Sequence, residues 1–345
     1  MQQIYNLPEI ELRKILQEKG LKSYRADQIW EGLYHQLYSS WGKFTTLPEQ
    51  MREELYREYS IRTMSPVGTL ISEDKLSEKT LFKLSDGNVI ETVLLQANNR
   101  NTLCVSTQIG CAANCAFCAT GGLGLSRNLS AGEIIEQVIF SAEKLAEKNQ
   151  TISNIVFMGM GEPFLNYENT IDAIHRINNP EGLKIGARRL TISTIGITDK
   201  IIAFAQEGLQ VNLAVSLHAS NDYLRNLLIP VSKKYPLIEL IQSCEYYFQL
   251  TRRRITFEYV MIEGVNDSPE EALQLSYLLR DLTCHVNLIP LNPTDRYTEI
   301  SPDQSVIEHF GKILINQGIP VSVRQSLGGE IKAGCGQLAG SRNYK

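Results

Sequence analysis

The stretch Gly110-Cys111-Ala112-Ala113-Asn114-Cys115-Ala116-Phe117-Cys118 places three cysteines on one short loop, spaced Cys-x3-Cys-x2-Cys. Soft thiolates suit iron–sulfur clusters, and three of them can each hold one iron of a [4Fe–4S] cluster. No fourth cysteine follows nearby, so one iron would stay open for another ligand. Structural zinc sites normally use four closed ligands and Cys-x2-Cys pairs. The spacing therefore favours iron–sulfur over zinc or over buried structural cysteines.

Around and after this loop, β-rich runs alternate with helical patterns. The runs cover residues 103–107, 154–158, 190–194, 211–216, 255–261 and 286–290. This alternation predicts an α/β fold with a parallel sheet, curved into a partial (β/α)6 barrel. Ligands of such folds sit at the carboxyl ends of the strands. Because the cysteine loop follows the first run, we expect the active site at that end of the barrel.

The rest of the chain divides into smaller units. Residues 1–62 read as a small helical domain, and residues 63–98 as a β-hairpin extension with a turn at Ser85-Asp86-Gly87. The barrel is expected over residues 99–325, followed by a C-terminal segment over residues 326–345. One amphipathic helical face in the first domain is predicted from Ile10, Leu12, Ile15 and Leu16.

Glycines and polar side chains stand at the ends of several other runs. Met158-Gly159-Met160-Gly161-Glu162-Pro163 follows the second run. Its glycines let the backbone approach a ligand closely, and its carboxylate can accept a hydrogen bond from an ammonium group. Other polar side chains end or follow the later runs, namely Ser193, Ser216, His218 and Asn292. Taken singly, each of these is equally compatible with a cap or a loop contact.

The remaining cysteines fall into two kinds. Cys335 lies in Gly334-Cys335-Gly336-Gln337-Leu338, where the flanking glycines indicate an accessible thiol. Cys244 and Cys284 lie in apolar runs typical of a core. Cys104, on the first strand, also reads as a core residue when taken alone. In a chain expected to be cytosolic, seven cysteines indicate metal or catalytic groups rather than structural disulfides.

Together, the cysteine loop, Gly159-Met160-Gly161-Glu162-Pro163, Ser216-Leu217-His218 and Cys335-Gly336-Gln337-Leu338 resemble the RlmN/Cfr family of radical S-adenosylmethionine (SAM) RNA methyltransferases. The resemblance runs from about residue 77 to residue 340, and a small helical domain before it is also typical. It implies a [4Fe–4S] cluster on Cys111, Cys115 and Cys118, whose open iron binds SAM, with Phe117 near the SAM adenine. The implied SAM contacts are Gly161, Glu162, Ser193, Ser216, Leu217, His218 and Asn292.

The resemblance also implies a reaction, the methylation of an adenine carbon in RNA. One SAM molecule methylates Cys335, and a second is cleaved to a radical that activates the new methyl group. The resulting carbon radical adds to adenine and leaves a covalent protein–RNA adduct. Glu91 matches the proton acceptor, although on sequence alone it is equally an exposed strand carboxylate. Cys104 then closes a transient disulfide with Cys335, which external electrons from a flavodoxin or ferredoxin reset.

The implied substrates are 23S rRNA and tRNA. The residues around Gly161-Glu162-Pro163 and Asn292 look like the housekeeping members, which methylate carbon 2, rather than the resistance members, which methylate carbon 8. One departure is Ile331-Lys332-Ala333-Gly334, where family members commonly read Ile-Asp-Ala-Ala. It leaves the thiol intact but alters local contacts to RNA. The alternatives are a non-catalytic RNA-binding factor with a structural metal and a radical SAM enzyme that acts on a small molecule.

Composition adds little to these motifs. The chain has 345 residues, is 43% hydrophobic and 21% charged, and carries a net charge of -4, which is ordinary for a globular protein. It has no apolar run of about 18 residues and no secretory signal at its start, so we expect a cytoplasmic protein, and a monomer. RNA phosphates would need local basic patches. The candidates, each also readable as a solvated turn, are Arg252-Arg253-Arg254, Lys233-Lys234 and Arg188-Arg189.

Overall fold

The computed structural model describes residues 1–97, 99–324 and 327–340. The chain begins with a small helical unit in which a short parallel pair joins the two ends. Its elements are β1 (Gln2–Gln3), α1 (Glu9–Glu18), α2 (Tyr24–Tyr34), α3 (Glu49–Glu58) and β2 (Tyr59–Ser60). Leu12 and Leu16 of α1 are buried as predicted, whereas Ile10 is 83% exposed. Ile10 is in the first turn of α1, so the apolar face begins one turn later than the sequence pattern indicates.

Antiparallel strands follow: β3 (Met64–Ile71), β4 (Ser77–Leu84) and β5 (Val89–Ala97). The predicted hairpin is the β4–β5 pair. The sequence did not predict β3, which pairs with β4 and makes the extension three-stranded. Most of its side chains are exposed, and its register shifts between Pro66 and Gly68. Proline and glycine are confined to edges and bulges of sheets, so an edge strand of this kind carries almost no strand signal.

The main sheet has ten strands in the order β14-β13-β12-β11-β10-β9-β6-β5-β4-β3. From β6 to β14 every neighbouring pair is parallel. The strands not yet named are β6 (Arg100–Cys104), β7 (Gln108–Gly110), β8 (Leu125–Asn128), β9 (Asn154–Phe157), β10 (Leu190–Thr194), β11 (Asn212–Ser216), β12 (Ile255–Met261), β13 (Cys284–Pro290) and β14 (Val321–Val323). The predicted fold, a parallel partial barrel with an antiparallel extension, is confirmed. The first barrel strand ends at Cys104, earlier than predicted, and β7 and β8 form a separate antiparallel pair that carries the cysteine loop.

Helices between the strands cover the outer face of the sheet, except for the short first one, which lies within the cysteine loop. They are α4 (Ala119–Gly122), α5 (Ala131–Ala146), α6 (Tyr167–Asn178), α7 (Thr198–Gln206), α8 (Asp222–Leu228), α9 (Leu237–Thr251), α10 (Pro269–Leu279) and α11 (Gln304–Asn316). A capping box between Ser130 and Glu133 opens α5, because each side chain satisfies a backbone N–H that the helix leaves free. None of the helices in the described residues is long and apolar enough to cross a bilayer.

Strand β10 illustrates how the barrel separates its two faces. Leu190 and Ile192 are fully buried, whereas Thr191 and Ser193, which alternate with them, are half-buried. Side chains that alternate along a strand point to opposite faces of the sheet. The apolar set therefore packs beneath the helices, and the small polar set faces the barrel interior. Ser193 lies near the carboxyl end and Thr191 near the amino end, and the two side chains line two different cavities.

Candidate active site

The cysteine loop closes one side of a cavity at the carboxyl ends of the strands. Cys111, Cys115 and Cys118 all line this cavity, which we call the catalytic cavity. Backbone hydrogen bonds fix the loop on its neighbours. Cys111 N donates to Gly124 O at 3.0 Å, Ala116 N to Leu228 O at 2.9 Å, and Ala119 N to Gly336 O at 2.7 Å. The last of these bonds ties the loop to the C-terminal segment.

The donor set fits an iron–sulfur cluster. Ala113 N lies 3.4 Å from Cys111 Sγ, and an N–H directed at sulfur stabilises a thiolate. Burial raises the pKa of Cys111 to about 12 and also raises the pKa of Cys115 and Cys118, so metal binding would have to displace the thiol protons. In the described residues no group of His, Cys, Asp or Glu is arranged to hold a single ion. A four-iron cluster needs no such convergence, because each thiolate binds its own iron.

The two glycines of the Met158–Pro163 stretch are required because neighbouring parts of the chain pack closely against them. A Cβ on Gly159 would lie 2.7 Å from the backbone of Val105, and one on Gly161 would lie 2.5 Å from Gln108 Cβ. Gly161 also has a φ of +101°, a conformation that favours glycine. The sequence therefore identified the correct segment, but its glycines allow close approach to the chain between β6 and β7 rather than only to a ligand.

Glu162 is buried at the wall of the catalytic cavity. Its carboxylate accepts hydrogen bonds from Ile195 N at 2.9 Å and Phe164 N at 3.1 Å. Burial raises its pKa to about 7, although the Thr194 hydroxyl and the two N–H groups oppose this shift. Among the described residues, no basic side chain contributes to the pKa of Glu162. The carboxylate can thus accept a further hydrogen bond from an amino group in the cavity.

His218 is held in one orientation beside Phe117. Its φ is +61°, and its ring packs edge-on against Phe117 with ring centroids 4.9 Å apart. Asn266, which is fully buried, donates to His218 O at 2.9 Å, while His218 Nδ1 accepts from Val260 N at 3.0 Å. Burial, with a smaller effect of Arg225, lowers the pKa of His218 to about 3, so the ring is neutral. Strained backbone of this kind persists only where the surroundings hold it.

The other predicted SAM contacts divide into two groups. Ser193, Ser216 and Asn292 line the catalytic cavity together with Glu162 and His218. Leu217 is buried and does not line the cavity; its backbone N–H donates to Glu258 O at 3.0 Å. The structure therefore brings most of the predicted contacts to one place, while the predicted role of Leu217 has no side-chain support.

Cys335 occupies a position between two cavities. It lines the catalytic cavity, and it also lines a small cavity of about 30 Å³ together with Cys104. Asn292 Nδ2 donates to Cys335 O at 3.3 Å and fixes the backbone there. Burial raises the pKa of Cys104 to about 12. Both thiols are free, so the structure shows the pair without the transient disulfide that the family resemblance implies.

Glu91 does not line the catalytic cavity in the structure. Its carboxylate is fully buried, lies 3.1 Å from Lys79 Nζ, and accepts hydrogen bonds from Ala339 N at 2.8 Å and Gly340 N at 3.1 Å. It therefore anchors the C-terminal segment that carries Cys335. Lys79 Nζ also donates to Lys332 O at 3.1 Å, which adds a second tie to the same segment.

Two of the basic patches predicted for RNA docking lie far from the catalytic cavity. Arg252–Arg254 directly precedes β12, and Arg188–Arg189 directly precedes β10. Both are thus at the amino ends of the strands, whereas Cys335 lies at the carboxyl ends. This placement argues against these patches as the surface that presents a base to Cys335.

Lys332 is the position where family members commonly have an aspartate. In this chain its ammonium group forms an ion pair with Asp295 at 2.8 Å.

Sequence reasoning missed Arg324 and Glu258, which both line the catalytic cavity. Arg324 also lines the small cavity between Cys104 and Cys335. The nearby Cys335 thiol and Glu258 carboxylate raise the pKa of Arg324 against the opposing effect of burial. A glutamate inside the apolar run of β12 was a signal for Glu258. Arg324 had no such signal, because it follows a strand of only three residues.

Family comparisons agree with this geometry. Residues 105–276 match the model described as the radical SAM superfamily. Residues 2–61 match the model described as the ribosomal RNA large subunit methyltransferase N-terminal domain. The first match spans the cysteine loop and most barrel strands, and the second coincides with the small helical unit. The sequence predicted a small helical domain followed by a radical SAM barrel, and the two matched regions occur in that order.

Individual proteins are similar over nearly the whole chain. A probable dual-specificity RNA methyltransferase RlmN of Dictyoglomus thermophilum is 47% identical over 95% of this chain and 94% of its own length. A ribosomal RNA large subunit methyltransferase N of Nitrosopumilus maritimus is 43% identical over 98% of both chains. The crystal structure of a radical SAM methyltransferase from Sphaerobacter thermophilus matches with a TM-score of 0.97 at 47% identity, over 99% of this chain and all of that one.

Proposed function

The chain belongs to the RlmN family of radical SAM methyltransferases, and from this premise we propose that it methylates carbon 2 of adenosine in 23S rRNA and in tRNA. The observation that carries the proposal is the position of Cys335, which lines one cavity with the cluster cysteines and another with Cys104. A cysteine that only packs in the core would not line two cavities. A methyl carrier must face the methyl donor first and the resolving thiol afterwards.

The residues of the catalytic cavity fit the two cofactors of the family. Cys111, Cys115 and Cys118 would hold a [4Fe–4S] cluster, and Glu162, Ser193, Ser216 and Asn292 would bind SAM. When bound, the cluster and SAM supply the methyl group and the radical that activates it. The cysteine loop, Phe117 and Leu338 line this space, and bound cofactors and substrate would complete its closure against water. Exclusion of water protects a radical from side reactions.

Cys335 acts in this proposal as the methyl carrier. Its thiol sulfur accepts a methyl group and releases a proton, which gives S-methylcysteine. A hydrogen atom of that methyl group would pass to the 5′-deoxyadenosyl radical that a second SAM supplies, giving 5′-deoxyadenosine, and the carbon radical left on Cys335 adds to the substrate base. Carbon 2 of adenine is an electron-poor amidine carbon and cannot attack SAM directly as a nucleophile, so a radical carrier is chemically required.

Glu91 and Cys104 complete the reaction. The radical adduct would return one electron to the cluster, and its carbon 2 proton passes to Glu91, which restores the aromatic base. The Cys104 thiol then loses its proton and attacks the Cys335 sulfur. The carbon–sulfur bond breaks, the bridging carbon takes up a proton to become the methyl group, and a Cys104–Cys335 disulfide forms. An external donor, in this family a flavodoxin or ferredoxin, supplies the electrons that reduce the disulfide. Because the C-terminal segment covers Glu91 in the structure, we infer that this segment shifts before proton transfer.

Mass spectrometry of digested RNA tests the proposal directly. After reaction of anaerobically prepared protein with a 23S rRNA fragment, we expect 2-methyladenosine. Detection of 8-methyladenosine alone would assign the chain to the carbon 8 reaction. Absence of iron from the protein and of any methylated nucleoside would favour a non-catalytic RNA-binding protein. Methylation of a small molecule but not of RNA would favour the remaining enzyme alternative.

A further inference from the structure

The barrel contains a second large cavity at the opposite end from the catalytic cavity. It opens at the amino ends of the strands and has a volume of about 780 Å³. We call it the lumen. Closed α/β barrels normally fill this space with bulky branched side chains. Here, apart from Val156 and Met158, the wall side chains are small or polar, among them Thr102, Thr191, Asn212, Ala214 and Thr256. The open interior is therefore a property of these residue types.

Positive charge surrounds the mouth of the lumen. The arginines that line it are Arg188, Arg252, Arg253, Arg254 and Arg324. Glu258 is the one acidic residue on its wall in the described part of the chain. The first four arginines take part in none of the ion pairs formed among described residues. A concave site lined by one sign of charge focuses the field and concentrates counter-ions.

One of these arginines, Arg253, is held in place by side chains of the wall. Arg253 Nη1 lies 3.3 Å from Gln210 Oε1, and Arg253 also donates to Asn212 Oδ1. Asn212 Nδ2 in turn donates to Arg188 O at 2.9 Å. Arg253 Nε is buried, and the Arg253 guanidinium also lies against the Tyr247 side chain. The protein therefore orders this guanidinium before any ligand binds, which lowers the entropic cost of binding.

We propose that the lumen is a binding site for a small phosphate-bearing anion, of about the size of a phosphorylated sugar. The arginines match the geometry of phosphate oxygens, and the threonine hydroxyls offer hydrogen bonds to further oxygens. No aromatic side chain lines the lumen in the described chain, so stacking on a nucleobase contributes nothing. The volume falls within the range of ordinary ligand sites.

The inner end of the lumen adjoins the catalytic cavity. Met158, Glu258 and Arg324 line both the lumen and the catalytic cavity, so they form the partition between them. An anion bound deep in the lumen would lie on the far side of Arg324 from Cys335. The inference does not rest on the proposed function, because binding in the lumen is measurable without turnover.

Isothermal titration of the anaerobically prepared full chain with inorganic pyrophosphate tests the inference, at constant ionic strength set with sodium chloride. We expect saturable binding at one site. The double variant Arg188→Ala/Arg254→Ala should bind at least about tenfold more weakly, because a charge-assisted hydrogen bond is worth about that factor. Arg189→Ala is the matched control, since Arg189 is an exposed neighbour that does not line the lumen. Equal weakening by Arg189→Ala, or no binding at all, would overturn the site.

Two further experiments distinguish anion binding in the lumen from RNA binding to the same arginines at the surface. Thr191→Val/Thr256→Val removes wall hydroxyls at nearly constant shape, so it should weaken pyrophosphate binding while thermal unfolding without ligand stays unchanged. A single-stranded RNA oligonucleotide should not compete with pyrophosphate. If only the oligonucleotide binds, or if the wall variant binds pyrophosphate as well as the unaltered chain, the arginines serve RNA at the surface and the lumen is not the site.

Discussion

The two ends of the barrel use the same strands in opposite ways. At the carboxyl ends, loops close over the interior, and Glu162 and His218 are almost fully buried. At the amino ends, the interior is open and lined by half-buried threonines such as Thr191 and Thr256. The inner face of the strands carries polar side chains at both ends, with apolar ones such as Val156 and Val260 between them. At the carboxyl ends, the loops that follow the strands build the reaction site. At the amino ends, the residues of the strands themselves determine which ligand the lumen can bind.

The largest expected difference between the two ends concerns metal. Cys115→Ala should abolish SAM cleavage and remove most of the iron, because each of the three loop thiolates holds one iron of the cluster. The loss should exceed the roughly 10–100-fold effects of changing groups that only support metal ligands. Iron content and 5′-deoxyadenosine production measure it. Cys244→Ala, at a buried cysteine outside the cavity, is the control and should retain both. SAM cleavage at the original rate by Cys115→Ala would defeat the cluster assignment.

Glycine substitutions compare the packing of the two ends. Gly159→Ala should destabilise the fold by about 1–3 kcal/mol, because the new Cβ would meet the Val105 backbone at 2.7 Å. Gly186, before β10 at the amino ends, has no atom within 4 Å of an added Cβ and a φ of -58°. Gly186→Ala should therefore be neutral or stabilise by up to about 1 kcal/mol. Chemical denaturation of both variants gives the comparison, and equal effects would show that the carboxyl end is not tightly packed.

The protonation state of Glu162 gives the catalytic cavity a pH dependence. Its raised pKa, about 7, means that the carboxyl is protonated below that pH and loses acceptor capacity. SAM affinity should therefore rise as the pH increases from 6 to 8, by about tenfold for one charge-assisted hydrogen bond. Glu162→Gln should flatten this profile. An unchanged profile in Glu162→Gln would assign the pH dependence to another group.

The smallest effect is expected from the wall of the lumen. Thr191→Val/Thr256→Val should leave SAM cleavage unchanged and alter the unfolding free energy by no more than about 0.5 kcal/mol, as for other changes away from packed or charged groups. Parallel assays of 5′-deoxyadenosine and of denaturant midpoint check this. A marked loss of SAM cleavage would mean that the two cavities work as one.

Local motifs account for the parts of the molecule that the sequence predicted. The cysteine loop, the Gly161-Glu162 segment and the polar strand ends depend on residues close together in the chain, and parallel topology then brings them to one edge. The barrel order follows from the same rule. The cluster cysteines and the polar strand ends could therefore be assigned to one site from the sequence, whereas Cys335 was added to that site by the family resemblance of its Cys335-Gly336-Gln337-Leu338 segment.

The missed features depend on contacts between distant segments. Arg324 follows a very short strand, and only the fold places it between Cys335 and Glu258. The anchoring of the C-terminal segment by Glu91 joins residues that are 248 positions apart. The predicted boundary between barrel and C-terminal segment, at residues 325 and 326, lies outside the described residues.

Trapping of the protein–RNA adduct tests the central claim, that Cys335 carries the methyl group and Cys104 resolves the adduct. The variant Cys104→Ala should still accept a methyl group on Cys335 and still add to RNA. It should then stall, because no thiol is left to displace Cys335 from the bridging carbon. We predict an adduct that survives denaturing electrophoresis and reducing agent, with a mass that maps to Cys335 and one adenosine. Normal turnover by Cys104→Ala, or an adduct through any residue other than Cys335, would contradict the account.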